Sequence, residues 1–246
     1  MIFTNLLTNM VVLGMANVIP ANTPAFQEYA VHTMLTNADR IAAVWNLPVK
    51  PPLTKERVTA NSLRAHPLGI HGAITIDNRF TFRASNGRFD GFVDIPYECQ
   101  VFLTDDVQKN DAVLERWIQM TNLLTLQKAQ QIANSARVSI GLTADKTKLN
   151  KPKTAAQRKY NSDGKIYPLP YYVFRWENEL WGNASALVHI DVSGLTSNVV
   201  HFTYIGSLLR LDRPANYLEL LGLSTNTVFV RARFRPSGTV YEVYEP

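Results

Sequence analysis

The chain has 246 residues, of which 46% are hydrophobic and 18% are charged. This balance is typical of a folded globular protein and excludes a disordered or collagen-like chain. Lys and Arg outnumber Asp and Glu by 25 to 20, and the resulting net charge of +5 suits an anionic partner without requiring one. The single cysteine, Cys99, excludes an intrachain disulfide and every metal site that needs several thiolates.

Residues 1–27 contain no charged side chain and are the most apolar part of the sequence. Asn5, Asn9, Asn17 and Pro20 interrupt this stretch, so it lacks the run of about 20 apolar residues that a transmembrane helix needs. An apolar segment followed by small residues is typical of the end of a secretory signal, although the basic residues that open such a signal are missing. We therefore predict a signal-peptide remnant at residues 1–22, with an N-terminal segment packed on the body of the protein as the alternative.

The first half of the remaining chain predicts a helix followed by antiparallel strands. Thr23, followed by a proline, is a typical N-cap, and apolar residues then recur every three or four positions up to Trp45. Alternating patterns predict strands at 73–76, 80–82 and 89–93, with an Asn-Gly turn before the third strand.

The second half predicts the same order of elements. After an amphipathic segment at 111–122, Thr125 is the expected N-cap of a helix that begins at Leu126 and ends at Gly141. The lysine-rich segment 146–165 predicts an exposed loop. Three strands, a short helix and two further strands are predicted beyond it, at 171–176, 186–192, 199–204, 217–221, 228–234 and 239–244.

These patterns predict an α+β protein in which helices pack on antiparallel sheets. We expect two related halves, residues 23–105 and residues 106–246, packed as one body, the second with a C-terminal extension.

Residues 124–204 resemble a PepSY domain. The segment Leu124-Thr125-Leu126-Gln127-Lys128-Ala129-Gln130-Gln131-Ile132-Ala133 resembles the opening of that family's helix, where threonine or serine precedes a helix with alanines on its packed face. Residues 171–174 and 188–194 resemble the paired strands of the family, including an aspartate before a glycine turn. Residues 74–77, with the helix before them, are similar to a degenerate second copy, from which Asn78 and Arg79 depart.

The resemblance implies two cystatin-like α+β units that act outside the cytoplasm and bind or restrain peptidases and other partners. The whole chain is also similar to uncharacterised secreted bacterial proteins. Fold alone does not determine function, so this role is an expectation.

Candidate chemistry is sparse in the sequence. His66, His71 and Asp77 offer two imidazoles and a carboxylate, which suit zinc or a general base, but the spacing also fits a loop and the start of a strand. The acidic pair Asp105-Asp106 suits either a cation or helix capping. Cys99 has no family signature of a nucleophile around it, and the sequence has no phosphate loop or hydrolase elbow. We therefore predict no catalytic residue, no metal and no cofactor, and we place His189 and His201 on a solvated strand face.

We predict a non-catalytic, extracytoplasmic binding or peptidase-inhibitory module with a protein or peptide partner and no transmembrane span. Basic residues at 146–165 and the alternating arginines of the late strand also suit nucleic acid, which we do not favour. The alternatives are a metal-dependent or hydrolytic enzyme built on His66, His71 and Asp77, and an assembly protein that pairs through edge strands. Five residues of the second half are the expected contact residues: Tyr171, Trp176, Trp181, Arg231 and Arg233.

Overall fold

A computed structural model describes residues 22–96, 115, 123–162, 165–180, 184–223, 229–235 and 238–244. Several predicted features lie outside this description: the leader up to residue 21, Cys99, the pair Asp105-Asp106, segment 111–122 apart from residue 115, and Trp181.

The first half forms a long helix followed by five strands. They are α1 Pro24–Val44, β1 Val58–Asn61, β2 Arg64–His66, β3 Gly69–Ile76, β4 Phe80–Ser85 and β5 Arg88–Asp94, with a 3-10 turn at Lys55–Arg57 before β1.

The second half again forms a helix followed by strands. They are α2 Leu126–Ser139, α3 Ala144–Thr147, β6 Thr154–Ser162, β7 Lys165–Leu180, β8 Ala184–Ser193, β9 Val199–Ile205 and α4 Tyr217–Leu220. Beyond them, β10 Phe229–Arg235 and β11 Gly238–Tyr244 pair as a separate two-stranded sheet.

Both long helices begin where the sequence predicts. The Thr23 hydroxyl accepts a hydrogen bond from the Phe26 backbone N–H at 3.1 Å, and the Thr125 hydroxyl accepts one from Lys128 at 3.3 Å. Each bond satisfies a backbone donor that the first helical turn leaves open. Helix α2 ends before Gly141, whose φ of +88° suits glycine because that conformation disfavours a Cβ.

One antiparallel sheet joins the two halves. Its order is β1-β3-β4-β5-β9-β8-β7-β6, with β2 paired to β3 beside it. Strands β5 and β9 form the junction, where Gly91 lies opposite Thr203 and Phe92 lies opposite Phe202. The predicted α+β class with helices and antiparallel strands is confirmed, whereas a common origin of the halves stays a prediction.

The helices cover one face of the sheet and close a continuous core. Trp45, just after α1, donates its indole N–H to the Ala136 carbonyl of α2 at 2.9 Å. Its ring lies 5.8 Å from that of Phe92 and 5.2 Å from that of Phe202, across the junction of the halves. Side chains alternate along a strand, so the neighbours of these core residues point to the opposite face of the sheet.

The predicted exposed loop at 146–165 is wrong. That segment contains the last two residues of α3 and the nine-residue strand β6, which pairs with β7. Strand β6 lies at the end of the sheet, and the side chains of residues 154–161 are exposed or half-buried, so no hydrophobic alternation reveals it in the sequence. None of the helices in the described part of the chain is long and apolar enough to cross a membrane.

Candidate functional site

Two histidines and an aspartate meet on the sheet face opposite the helices. His189 and Asp191 are two residues apart on β8, so both side chains point to the same face. The register of β8 against β9 places His201 opposite Asp191. We call these three residues the His–Asp cluster.

The Asp191 carboxylate is the centre of the His–Asp cluster. Its Oδ1 lies 2.9 Å from His189 Nε2, and its Oδ2 lies 3.7 Å from His201 Nδ1. The Asp191 side chain has no solvent exposure, whereas the side chains of His189 and His201 are 23% and 21% exposed. The cluster is therefore a buried negative charge beneath two imidazoles that reach the surface.

Arg158 supplies the positive charge that a buried carboxylate needs. Its Nη2 lies 2.7 Å from Asp191 Oδ2 and reaches it from the edge strand β6, two strands away. A buried ion whose partner is removed is strongly destabilising, so this pair ties the edge of the sheet to its centre. The β6–β7 register shifts at this point, because Arg158 alone lies opposite the three β7 residues 169–171, so the extra residues of the bulge belong to β7.

A second arginine extends the polar network toward the first half. The Thr203 hydroxyl lies 3.3 Å from His201 Nε2 and accepts a hydrogen bond from Arg83 Nη2 at 3.4 Å. The guanidinium of Arg83 lies over Gly91, where a Cβ would sit 2.5 Å from Arg83 Nε. Glycine at position 91 thus provides the room for Arg83 to reach β9.

Burial decides the charge state of His201. It lowers the pKa of His201 to about 4, and the nearby charges of His189, Arg83 and Arg158 act in the same direction, while Asp191 opposes them. At neutral pH His201 is therefore an uncharged imidazole with a lone pair on one ring nitrogen.

The His–Asp cluster presents a donor set suited to transition metals. One ligand atom from each residue, two imidazole nitrogens and one carboxylate oxygen, lies within 4.8 Å of the others. Neutral imidazole and carboxylate oxygen are established ligands of zinc and related ions.

The structure does not bring together the trio predicted from the sequence. The rings of His66 and His71 stack with their centroids 6.0 Å apart. Asp77 follows the far end of β3 from His71, and its carboxylate accepts hydrogen bonds from Arg57 at 3.2 Å and 2.5 Å. Asp77 is therefore held by Arg57, away from both imidazoles.

Two of the predicted aromatic contact residues, Tyr171 and Trp176, are not on the surface. Trp176 has no exposed area and lies on the helix side of the sheet, with the Arg137 guanidinium 5.1 Å from its ring centroid. Tyr171 is 4% exposed, and its burial raises its pKa to about 12. Their expected exposure is wrong because both strand faces are packed at these positions.

The remaining predicted contact residues are Trp181, Arg231 and Arg233. Arg231 and Arg233 belong to β10, and in the backbone register of the strand pair they lie opposite residues 242 and 240 of β11. Trp181 lies outside the described residues.

Sequence reasoning missed the His–Asp cluster. The available signal was the alternation His189-x-Asp191 in one predicted strand and a histidine, His201, in the next. Only the register between the two strands places His201 beside Asp191, and register is a property of the folded sheet.

Comparison with protein-family models, curated proteins and solved structures finds no match for this chain. The resemblance of residues 124–204 to a PepSY domain therefore stays a prediction from the sequence.

Proposed function

We propose that this chain is a non-catalytic, extracytoplasmic binding module that takes an extended acidic peptide by pairing it with β6. The observation that carries the proposal is the position of β6: it pairs with β7 on one side, and no other described strand pairs with it. Backbone N–H and C=O groups along such an edge are a template for an added strand.

Length and exposure favour β6 over the opposite edge. Strand β6 has nine residues, whereas β1 at the other end of the sheet has four. Thr154, Ala155 and Ala156 are exposed and precede the shift in the β6–β7 register, so they form a regular stretch for a partner strand.

Charge defines the class of partner. Lys151, Lys153 and Lys159 are exposed along or beside β6. Lysines on an edge strand disfavour pairing with a neutral or basic strand, whereas an acidic strand gains from the same lysines. The edge is therefore selective for acidic segments.

Two sequence features support the wider role. The resemblance to PepSY domains supports a partner among peptidases and a restraining effect on it, and the apolar, uncharged residues 1–27 support a place outside the cytoplasm. No contact among the described residues favours an enzyme built on His66, His71 and Asp77.

The test uses the full chain and a fluorescent eight-residue peptide of alternating glutamate and valine. We expect saturable binding by fluorescence anisotropy that weakens as salt rises. A peptide with lysine in place of glutamate is expected not to bind. The decisive probe is the acidic peptide with alternate backbone nitrogens methylated, because methylation removes strand pairing and leaves the charge unchanged.

A matched pair of double variants locates the binding surface. The double variant Lys151→Glu with Lys159→Glu reverses two charges beside β6. It is expected to weaken binding of the acidic peptide by about tenfold, since surface charge pairs contribute up to about 1 kcal/mol each. Lys50→Glu with Lys55→Glu makes the same change in net charge at exposed positions near β1 and is expected to have no effect. Equal binding of the methylated peptide, or equal loss in both double variants, would contradict strand addition at β6. Self-association that competes with the peptide would instead identify a second copy as the occupant.

A further inference from the structure

We propose that the His–Asp cluster is a binding site for a divalent transition-metal ion of the zinc class, held by His189, Asp191 and His201. This site lies on the sheet face opposite the helices, and the proposal does not rest on peptide pairing at β6, although Arg158 of that strand contacts Asp191.

The separations between donor atoms fit such an ion. In a tetrahedral zinc site with metal–nitrogen and metal–oxygen distances near 2.0–2.2 Å, the donor atoms lie roughly 3.4 Å from each other. The two carboxylate oxygens of Asp191 lie at comparable separations from the imidazoles: Oδ1 is 2.9 Å from His189 Nε2, and Oδ2 is 3.7 Å from His201 Nδ1. One oxygen of Asp191 and one nitrogen of each histidine lie within 4.8 Å of one another, so ion binding requires the donors to close by at most about 1.4 Å.

The surrounding contacts orient the donors as in a metal site. Thr203 faces the far nitrogen of His201, Nε2, which leaves Nδ1 directed at Asp191. Arg158 bonds Asp191 Oδ2 and leaves Oδ1 on the side of His189. Metal-ligating histidines and carboxylates are typically held by outer hydrogen bonds of this kind.

The donor set and its charge determine the class of ion. Calcium and magnesium require several oxygen ligands, whereas this cluster offers one carboxylate and two nitrogens. Arg158 and Arg83 add positive charge nearby, which opposes any cation and leaves the imidazole bonds to provide most of the affinity. Both histidines are partly exposed, so the ion enters from solvent and keeps water on its open side.

The test is titration of the full chain with Co²⁺, followed by displacement with Zn²⁺. We expect one ion per chain, visible d–d absorption bands typical of a tetrahedral nitrogen and oxygen site, and loss of those bands as Zn²⁺ is added. In the unmutated chain, ¹⁵N shifts of the imidazoles of His189 and His201 are expected to change on addition of Zn²⁺, while those of His71 stay constant. This measurement requires no variant that has to fold.

Matched substitutions complete the test. His189→Gln removes one ligand at a partly exposed position, and we expect it to lower the affinity for Zn²⁺ by at least about tenfold. His71→Gln alters the other pair of neighbouring histidines, which stack without a carboxylate between them, and is expected to leave Zn²⁺ affinity unchanged. Lack of Co²⁺ bands and of Zn²⁺-dependent imidazole shifts would overturn the proposal. So would loss of affinity in His71→Gln with none in His189→Gln.

Discussion

The carboxylate of Asp191 has no solvent exposure, and Arg158 supplies the charge that compensates it. The stability of the folded chain therefore depends on Arg158. Arg158→Met keeps the side-chain volume similar and removes the compensating charge. Because breaking a buried pair from one side costs about 3–5 kcal/mol, we expect the free energy of unfolding to fall by about 3 kcal/mol in urea denaturation. Asp191→Leu in the same chain is expected to restore much of the loss, since an apolar pair replaces a buried ion pair at little cost.

Arg175→Met is the matched control for this prediction. Arg175 pairs with Glu177 at 2.8 Å, but half of its side chain is exposed, so the same substitution is expected to cost at most about 1 kcal/mol. Equal losses in the two variants would mean that burial of Asp191 does not govern the effect of Arg158.

His201 makes the stability of the metal-free chain depend on pH. The folded chain holds the pKa of His201 at about 4, since burial and the charges of His189, Arg83 and Arg158 outweigh the attraction of Asp191. Between pH 6.5 and pH 4 the unfolded chain therefore binds a proton on this residue that the folded chain does not. The free energy of unfolding is expected to fall by about 3 kcal/mol as pH falls through that window.

Urea denaturation at a series of pH values between 7 and 4 measures this dependence. In His201→Gln the decline over that window is expected to be smaller than in the unmutated chain. His32→Gln, at an exposed position of α1, is expected to retain it. A decline of the same size in His201→Gln would assign the pH dependence to other groups.

At the residue scale, the sequence could identify strand positions but not the partners across the sheet. It predicts His189 and His201 as strand residues on a solvated face, and their partial exposure agrees with that. The burial of Asp191 depends on Arg158, which reaches it from two strands away. No local pattern encodes that contact.

At the element scale, the two helix N-caps offer a direct comparison. Thr23 accepts from Phe26 N–H and also donates its hydroxyl proton to the Leu220 carbonyl at the end of α4. Among the described hydrogen bonds, the side chain of Thr125 makes only the capping bond from the Lys128 backbone N–H. An N-cap is worth about 1 kcal/mol and a further hydrogen bond about 1 kcal/mol. We therefore expect Thr23→Ala to cost about 2 kcal/mol and Thr125→Ala about 1 kcal/mol.

Thermal and urea denaturation of both variants measure this difference. Thr23→Ser keeps both hydrogen bonds and is expected to stay close to the unmutated chain. A larger loss in Thr125→Ala than in Thr23→Ala would show that the bond to Leu220 adds nothing to the stability of α1.

Elements whose signals are local were predictable, and elements defined by their neighbours were not. Helix α1 begins directly after Thr23, because the hydroxyl of Thr23 caps the first turn and the proline that follows it suits the first helical position. Strand β6 lacks such a signal, since it is polar on both faces and exists through its pairing with β7. Pro168 and Pro170 obscure the start of β7, where Pro168 lies opposite Lys159 beside the bulge.

At the scale of the whole molecule, the pairing of β5 with β9, two strands far apart in sequence, makes one sheet from the two halves. The order of elements within each half follows the predicted patterns. The pairing of β5 with β9 joins residues that are more than a hundred positions apart in the sequence. No periodicity in either strand predicts which strand it pairs with. The shared core explains it physically: Phe92, Phe202 and Trp45 bury one another where the halves meet.

This shared core predicts that the two halves unfold together. Phe202→Ala removes a fully buried ring that packs on Trp45 and lies 5.9 Å from the ring of Phe89, and it is expected to cost about 3–5 kcal/mol. Hydrogen exchange should then show equal loss of protection for the most protected amides of α1 and of β7, because both depend on the same global opening. Ile205→Ala, at a 55% exposed position of the same strand, should change stability by less than about 0.5 kcal/mol. If β7 loses protection while α1 keeps it, the halves are separate cooperative units, and the strand pairing at Phe92 and Phe202 only holds them side by side.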